Sequence, residues 1–100
     1  MKAEEIPILY TQLFINNEFV NSINGRIFST YNPATEKSIA AVQEGDSDDI
    51  DAAVRAAQAA FKPGSVWREI SPCQRGDLMR KFAALMRRDQ DYLAVISVAY

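Results

Sequence analysis

The first half of the chain alternates short runs of β-prone residues with polar turn formers, a pattern typical of small antiparallel strands. The runs of β-prone residues cover 13–15, 19–20, 26–31 and 38–43. Each run is too short to form a helix, and the last one closes at Glu44-Gly45. The pattern predicts a small antiparallel meander over 13–45, preceded by a tail over 1–12.

Turn chemistry supports this division into strands. Asn16 and Asn17 separate the first two runs, and asparagine tolerates the positive φ of a tight reversal. Asn24-Gly25 is the sharpest local turn signal in the chain. Pro33 ends the third run because proline has no amide hydrogen to give to a strand ladder.

The period changes to that of a helix after residue 47. A first helix is predicted over 48–61, where apolar residues recur at spacings of three and four. These residues are Ile50, Ala53, Val54, Ala57 and Phe61. Acidic residues at the start of this helix suit the positive end of its dipole, and Pro63-Gly64 ends it.

A second helix is predicted over 71–96. Ser71 is a good N-cap, Pro72 suits the first helical position, and Gln74 completes a capping box. The apolar stripe of this helix consists of Leu78, Phe82, Leu85, Met86, Leu93 and Ile96. Residues 95–100 are uncharged and rich in β-branched side chains, so we expect fraying beyond Ala94.

Composition excludes several classes of function. A chain of 100 residues has room for one small domain. Because 14 of its hydrophobic residues are alanines, few large apolar side chains are left to form a hydrophobic core within the chain. The net charge of −2 argues against a nucleic-acid partner. No apolar run approaches the ~20 residues of a membrane span. The acidic amino terminus is unlike a targeting peptide, so a cytoplasmic location is expected.

Candidate chemistry is sparse. Cys73 stands near a predicted helix start, where the dipole favours a thiolate, but the chain has no histidine to act as its base. The aspartates at 46–51 lack the glycine and terminal glutamate of a calcium loop, so we interpret them as helix-start residues. The basic residues at 80–88 are interpreted as the solvated face of a helix. We therefore predict no catalytic residue and no cofactor-binding residue.

Seven segments along the chain form a distinctive set: 13–20 (LFINNEFV), 31–36 (YNPATE), 44–46 (EGD), 49–57 (DIDAAVRAA), 64–68 (GSVWR), 74–76 (QRG) and 85–89 (LMRRD). Together they resemble the aldehyde dehydrogenase family, specifically its cytosolic class 1 and mitochondrial class 2 branches that include retinal dehydrogenases. Glu36 departs from the family pattern, in which glycine is frequent at that position. Residues 95–100 also depart from it.

The resemblance implies an α/β fold in which this chain is the amino-terminal portion of a Rossmann-like coenzyme-binding domain. The family oxidises aldehydes with NAD(P), using a cysteine nucleophile and a glutamate base that lie beyond the matched segments. Cys73 does not match that cysteine in position or flanking residues. Some relatives hold a cation through backbone carbonyls at positions matching Thr30 and Tyr31, so these two residues are possible metal ligands by resemblance.

Three interpretations follow. The first is a catalytically incomplete amino-terminal segment of an NAD(P)-dependent aldehyde dehydrogenase, which binds no cofactor by itself. The second is a non-catalytic interaction module that associates with full-length subunits of that family or with itself. The third is an unrelated small α+β binding domain. Nucleic acid and membrane partners are not expected for any of them.

Overall fold

The computed structural model describes residues 7–99, so the first six residues of the expected tail lie outside the described part. Residues 7–12 form neither helix nor strand. From there the described chain runs through β1 (Leu13–Ile15), β2 (Glu18–Val20), β3 (Ile27–Tyr31), β4 (Ser38–Gln43), α1 (Ser47–Phe61), α2 (Val66–Glu69), α3 (Pro72–Arg88) and α4 (Gln90–Ala99).

The strands form two separate antiparallel pairs, β1–β2 and β3–β4. Asn16 and Asn17 make the first reversal with φ angles of 54° and 63°, as their sequence predicts. The expected meander is wrong in one respect, because β2 does not pair with β3. The linking segment bonds instead to side chains: the backbone N–H of Ser22 donates to the Gln43 side chain at 2.9 Å and that of Ile23 to Asp49 at 3.1 Å.

The β3–β4 connection contains a strained residue. Glu36 has a φ of 60°, which falls in the left-handed region that glycine favours. Its backbone N–H donates to the Asn32 carbonyl at 2.7 Å, and the Asn32 N–H donates to the Lys37 carbonyl at 2.9 Å. These two bonds close the turn and hold Glu36 at its positive φ. Glycine suits this position because it adopts a positive φ without steric penalty.

Helix α1 begins one residue earlier than predicted. Its N-cap is Asp46, which forms a capping box with Asp49, and the helix ends at Phe61 immediately before Lys62-Pro63-Gly64. A short helix that the sequence did not predict, α2, follows. Its N-cap Ser65 also donates a hydrogen bond from Oγ to the Ala60 carbonyl at 2.7 Å, which ties the turn to the end of α1.

The predicted helix over 71–96 is two helices. The Ser71 capping box is confirmed, but α3 ends at Arg88 and Asp89 stands outside helical geometry with φ −101° and ψ 20°. Aspartate favours helix ends over interiors, and the Asp89 carboxylate accepts two bonds from the Arg88 guanidinium at 2.9 and 3.0 Å. Helix α4 then continues to Ala99, beyond the expected end at 96.

The described chain has no core of its own. None of its large side chains is fully buried, and Phe61, Met79 and Phe82 are 68%, 73% and 64% exposed. The Cα radius of gyration is 17.1 Å, against about 13 Å for a compact domain of this length. The accessible surface of 7954 Å² exceeds that of a compact monomer by about 2,300 Å². Much of the apolar surface of α1 and α3 is therefore uncovered within residues 7–99.

Candidate functional site

A hydrogen-bonded polar cluster lies where the 21–26 segment, the end of β4 and the start of α1 meet. We call it the polar junction, and it consists of Ser22, Asn24, Arg26, Gln43, Asp46 and Asp49. Asp49 is only 4% exposed. One of its carboxylate oxygens accepts the Ile23 N–H at 3.1 Å, and the other accepts the Asp46 N–H at 3.0 Å. Asp49 thus satisfies two backbone donors from two different segments.

Ser22 anchors the other side of the junction and is 5% exposed. Its hydroxyl lies 3.0 Å from Gln43 Oε1 and 3.2 Å from the Arg26 carbonyl, and its backbone N–H also bonds to Gln43 Oε1. The Gln43 N–H in turn donates to the Thr11 carbonyl at 2.8 Å. This set of bonds ties the end of β4 to the segments on both sides of the first hairpin.

Asn24 and Asp46 complete the junction at its exposed edge. The Asn24 side-chain Nδ2 donates to Asp46 Oδ2 at 2.8 Å, and Asn24 Oδ1 accepts the Arg26 N–H at 2.8 Å. The bond from Asn24, together with the backbone N–H of Asp48, stabilises the ionised carboxylate and lowers the pKa of Asp46. Asp46 therefore caps α1 as a carboxylate.

The junction is built to hold segments together rather than to react. Among the described residues, no buried side-chain nitrogen or oxygen lacks a hydrogen-bond partner. Its acceptors bond to backbone N–H groups and to the side chains of Ser22 and Asn24. The sequence pattern predicts Asp46 and Asp49 at a helix start, as observed, but it does not predict the burial of Asp49. The D-x-x-D spacing of a capping box was the available signal.

Two open grooves flank the first hairpin where it lies against α1. The larger has a volume of about 530 Å³ and is lined by Val20, Ile23, Asp49, Arg55 and neighbouring alanines. The smaller, of about 370 Å³, lies between Phe14 and the alanine face of α1. Both grooves are shallow and largely apolar, and neither brings together the acid, base and nucleophile that catalysis requires.

The structure keeps the other candidate residues apart from this region. Cys73 is an exposed free thiol at the second residue of α3. Of the basic residues on α3, Arg80 pairs with Asp77 and Arg88 pairs with Asp89, all at exposed positions. Within residues 7–99, no three His, Cys, Asp or Glu side chains gather in a group that would hold a metal.

The two residues named as cation ligands lie in β3. Thr30 faces Ala40 across the β3–β4 ladder, and its hydroxyl donates to the Ala40 carbonyl at 3.4 Å. Tyr31 faces Ser38 and is 60% exposed. The register shifts between Thr30 and Tyr31, a bulge that departs from regular pairing at the carbonyls in question. Among residues 7–99, no helix is both long enough and apolar enough to cross a membrane.

Comparison with known proteins places this geometry in context. The sequence model of the aldehyde dehydrogenase family matches residues 19–99. Human retinal dehydrogenase 2 is 50% identical over 91 residues, which are 91% of this chain and 18% of that protein. Rat "Aldehyde dehydrogenase, cytosolic 1" is also 50% identical over 91 residues, with the same coverage. The chain therefore spans less than a fifth of the length of these relatives.

A solved structure agrees with the sequence comparisons. The NAD+ complex of aldehyde dehydrogenase from Bacillus cereus superposes with a TM-score of 0.80 and 45% identity, covering 86% of this chain and 17% of the other. The likeness confirms the predicted α/β fold class, with two small strand pairs and helices as the amino-terminal part of a larger fold. It also explains the exposed apolar faces, because most of the larger fold lies outside this chain.

Proposed function

The chain belongs to the aldehyde dehydrogenase family, and we propose that it is the amino-terminal stretch of an enzyme that oxidises aldehydes to carboxylic acids with NAD(P). The observation that carries this proposal is the match in sequence and fold to the Bacillus cereus enzyme, solved with NAD+. Cytoplasmic location is part of the proposal and is supported by the relative named cytosolic.

In this proposal the chain supplies scaffold and no catalytic group. Aldehyde oxidation through a thioester needs a nucleophilic thiolate, a base and a bound nicotinamide held in one site. The chain has one cysteine and no histidine, and that cysteine is exposed on α3. The polar junction would instead fix the first hairpin against α1, so that the apolar faces of α1 and α3 are presented to the rest of the enzyme.

A chimeric enzyme tests the scaffold role. Residues 7–99 would replace the superposed segment of the Bacillus cereus enzyme, and NADH production would be followed by absorbance with several aldehydes. We expect the chimera to retain activity and the 100-residue chain alone to show none. A folded but inactive chimera would contradict the scaffold role, and activity of purified chain alone would contradict its catalytic incompleteness.

The second candidate function is an interaction module that binds full-length subunits of the same family or a second copy of itself. The exposed surface favours it, since the excess of about 2,300 Å² is comparable to the area buried in obligate interfaces. Size-exclusion chromatography of the chain mixed with the Bacillus cereus enzyme tests this function. Co-elution supports the module, and separate elution of a monomer rejects it.

Cation binding by the Thr30 and Tyr31 carbonyls is a further part of the proposal, and the register shift between these residues supports it. A bound cation would polarise the two peptide groups, whose N–H atoms belong to Tyr31 and Asn32. Titration with K+ or Mg²⁺ should therefore move the amide NMR signals of these two residues. Signals that stay in place with both cations would reject the site.

A further inference from the structure

The loop between the two strand pairs contains a chemically reactive dipeptide. The chain has five asparagines, and Asn24 is the one that glycine follows. Gly25 has a φ of 72°, and the space around its Cα is open, with no heavy atom within 4 Å of where a Cβ would lie. A glycine at this position leaves its backbone nitrogen without a side chain to hinder attack on the preceding asparagine.

We infer that Asn24 is a deamidation site whose reaction is restrained by its contact with Asp46 and whose product weakens the cap of α1. The Gly25 nitrogen attacks Asn24 Cγ, forming the N–Cγ bond of a succinimide. The Cγ–Nδ2 bond breaks, and ammonia leaves with the proton that the backbone nitrogen loses. Water then opens the ring at either carbonyl, giving aspartate or isoaspartate. No oxidant, metal or second protein is required.

The folded turn opposes the first step in two ways. The Gly25 N–H donates to the Ser22 carbonyl at 3.1 Å, which occupies the nitrogen that must attack. The Asn24 side chain is held at both ends, by Asp46 Oδ2 and by the Arg26 N–H, each at 2.8 Å. Reaction therefore requires the turn to open, and the open population depends on the bonds that close it.

The product is incompatible with the observed contact. Deamidation replaces the Nδ2 donor by a carboxylate oxygen, which faces the Asp46 carboxylate with no hydrogen between them. Like charges at this separation repel, and Asp46 is also the N-cap whose Oδ1 accepts the Asp48 N–H at 3.1 Å. Modification at residue 24 would thus act on α1, a helix that starts 23 residues further along.

Peptide mapping tests the restraint. The full chain and two variants, Asp46→Ser and Asp48→Ser, would be incubated at mildly alkaline pH in buffer and in urea. Serine at position 46 can still cap the helix, but its side chain is too short to accept the hydrogen bond from Asn24. Asp48→Ser is the control, because the Asp48 side chain forms no hydrogen bond with Asn24. Mass spectrometry of tryptic peptide 3–26 would assign the site. Asn32, in tryptic peptide 27–37, is the internal control because Pro33 has no N–H for cyclisation.

In buffer, Asp46→Ser should deamidate at Asn24 about fivefold faster than the parent chain, the factor expected from losing one hydrogen bond. Asp48→Ser should match the parent, and all three should react equally fast in urea. Equal rates for the parent and Asp46→Ser in buffer would overturn the restraint. A parent rate as high in buffer as in urea would do the same, and first modification elsewhere would overturn the site.

A second pair of variants tests the consequence. Asn24→Asp imitates one product, and Asn24→Ala removes the donor without adding charge. At low salt Asn24→Asp should lose more helical circular dichroism than Asn24→Ala, and salt should narrow the difference by screening. Identical helix signals for the two variants would overturn the effect on α1.

Discussion

The carboxylate of Asp49 accepts the backbone N–H of Ile23 at 3.1 Å, across 26 positions of sequence. This bond joins the segment after the first hairpin to the first turn of α1. Because Asp49 also accepts the Asp46 N–H, one side chain both completes a helix cap and fixes the position of that helix. In a chain without a core, such buried polar bonds carry the tertiary arrangement.

Replacing Asp49 by alanine should separate α1 from the 21–26 segment. Two backbone donors would lose their partner in a buried place, which costs on the order of 2 kcal/mol. Amide hydrogen exchange at Ile23 and Asp46 should accelerate. The control is Asp51→Ala on the exposed face of the same helix, and equal protection in both variants would contradict the role of Asp49.

Acid should weaken the α1 cap at Asp46. The pKa of this carboxyl is lowered from 3.8, chiefly by the hydrogen bond from Asn24. Its stabilising contribution is therefore complete above the unfolded-state pKa and is lost as the pH falls through the lower folded-state value. Helical circular dichroism followed below about pH 4 should show this loss. Asp46→Asn keeps a capping side chain but cannot titrate, so its profile should lack that component; an unchanged profile would contradict the assignment.

Ser71→Ala should destabilise the start of α3. Ser71 Oγ accepts the Gln74 N–H at 3.2 Å, and Gln74 Oε1 accepts the Ser71 N–H at 2.8 Å. Loss of the serine side chain should cost about 1 kcal/mol of helix stability. Hydrogen exchange at Gln74 measures the change. Cys73→Ser in the same turn serves as control, and equal exchange in both variants would argue against the cap.

Glu36→Gly should stabilise the β3–β4 turn. Glycine removes the steric penalty of a side chain at a φ of 60°. It also increases the conformational entropy of the unfolded chain, which offsets part of this gain. The net increase in the free energy of unfolding should be about 1 kcal/mol. The thermal midpoint of the chimeric enzyme should rise. The control is Ala34→Gly, which should lower the thermal midpoint because Ala34 does not have a positive φ. A lower midpoint for Glu36→Gly would show that the turn is not strained.

The exposed apolar side chains of α3 should make the isolated chain associate. Phe82 of the apolar stripe is 64% exposed and Met79, one turn before it, is 73% exposed; exposed apolar surface of this kind binds hydrophobic dye and other chains. Changing both residues to glutamine should reduce dye fluorescence and oligomer size while leaving helical circular dichroism nearly unchanged. Arg80→Gln between them is the control. Dye binding that persists in the double variant would place the association elsewhere.

Local rules account for most elements that the sequence predicted. The Asn16-Asn17 reversal, the Ser71 capping box and the stop after Phe61 each depend on residues within one turn of each other. Strand β4 has the predicted bounds of 38–43 for the same reason. The family resemblance was equally local, since it rests on short segments distributed along the chain, and the family match over 19–99 confirms it.

The sequence by itself thus determined the Asn16-Asn17 turn, the capped start of α3 at Ser71 and the family to which the chain belongs. Only the tertiary structure decided that β2 and β3 do not pair with each other and that Asp49 is buried. The physical reason is competition for backbone donors: the N–H groups of Ser22 and Ile23 bond to side chains 21 and 26 residues away rather than to a neighbouring strand. The sequence pattern around Ser22 and Ile23 gives no information about hydrogen-bond acceptors that lie more than 20 residues away.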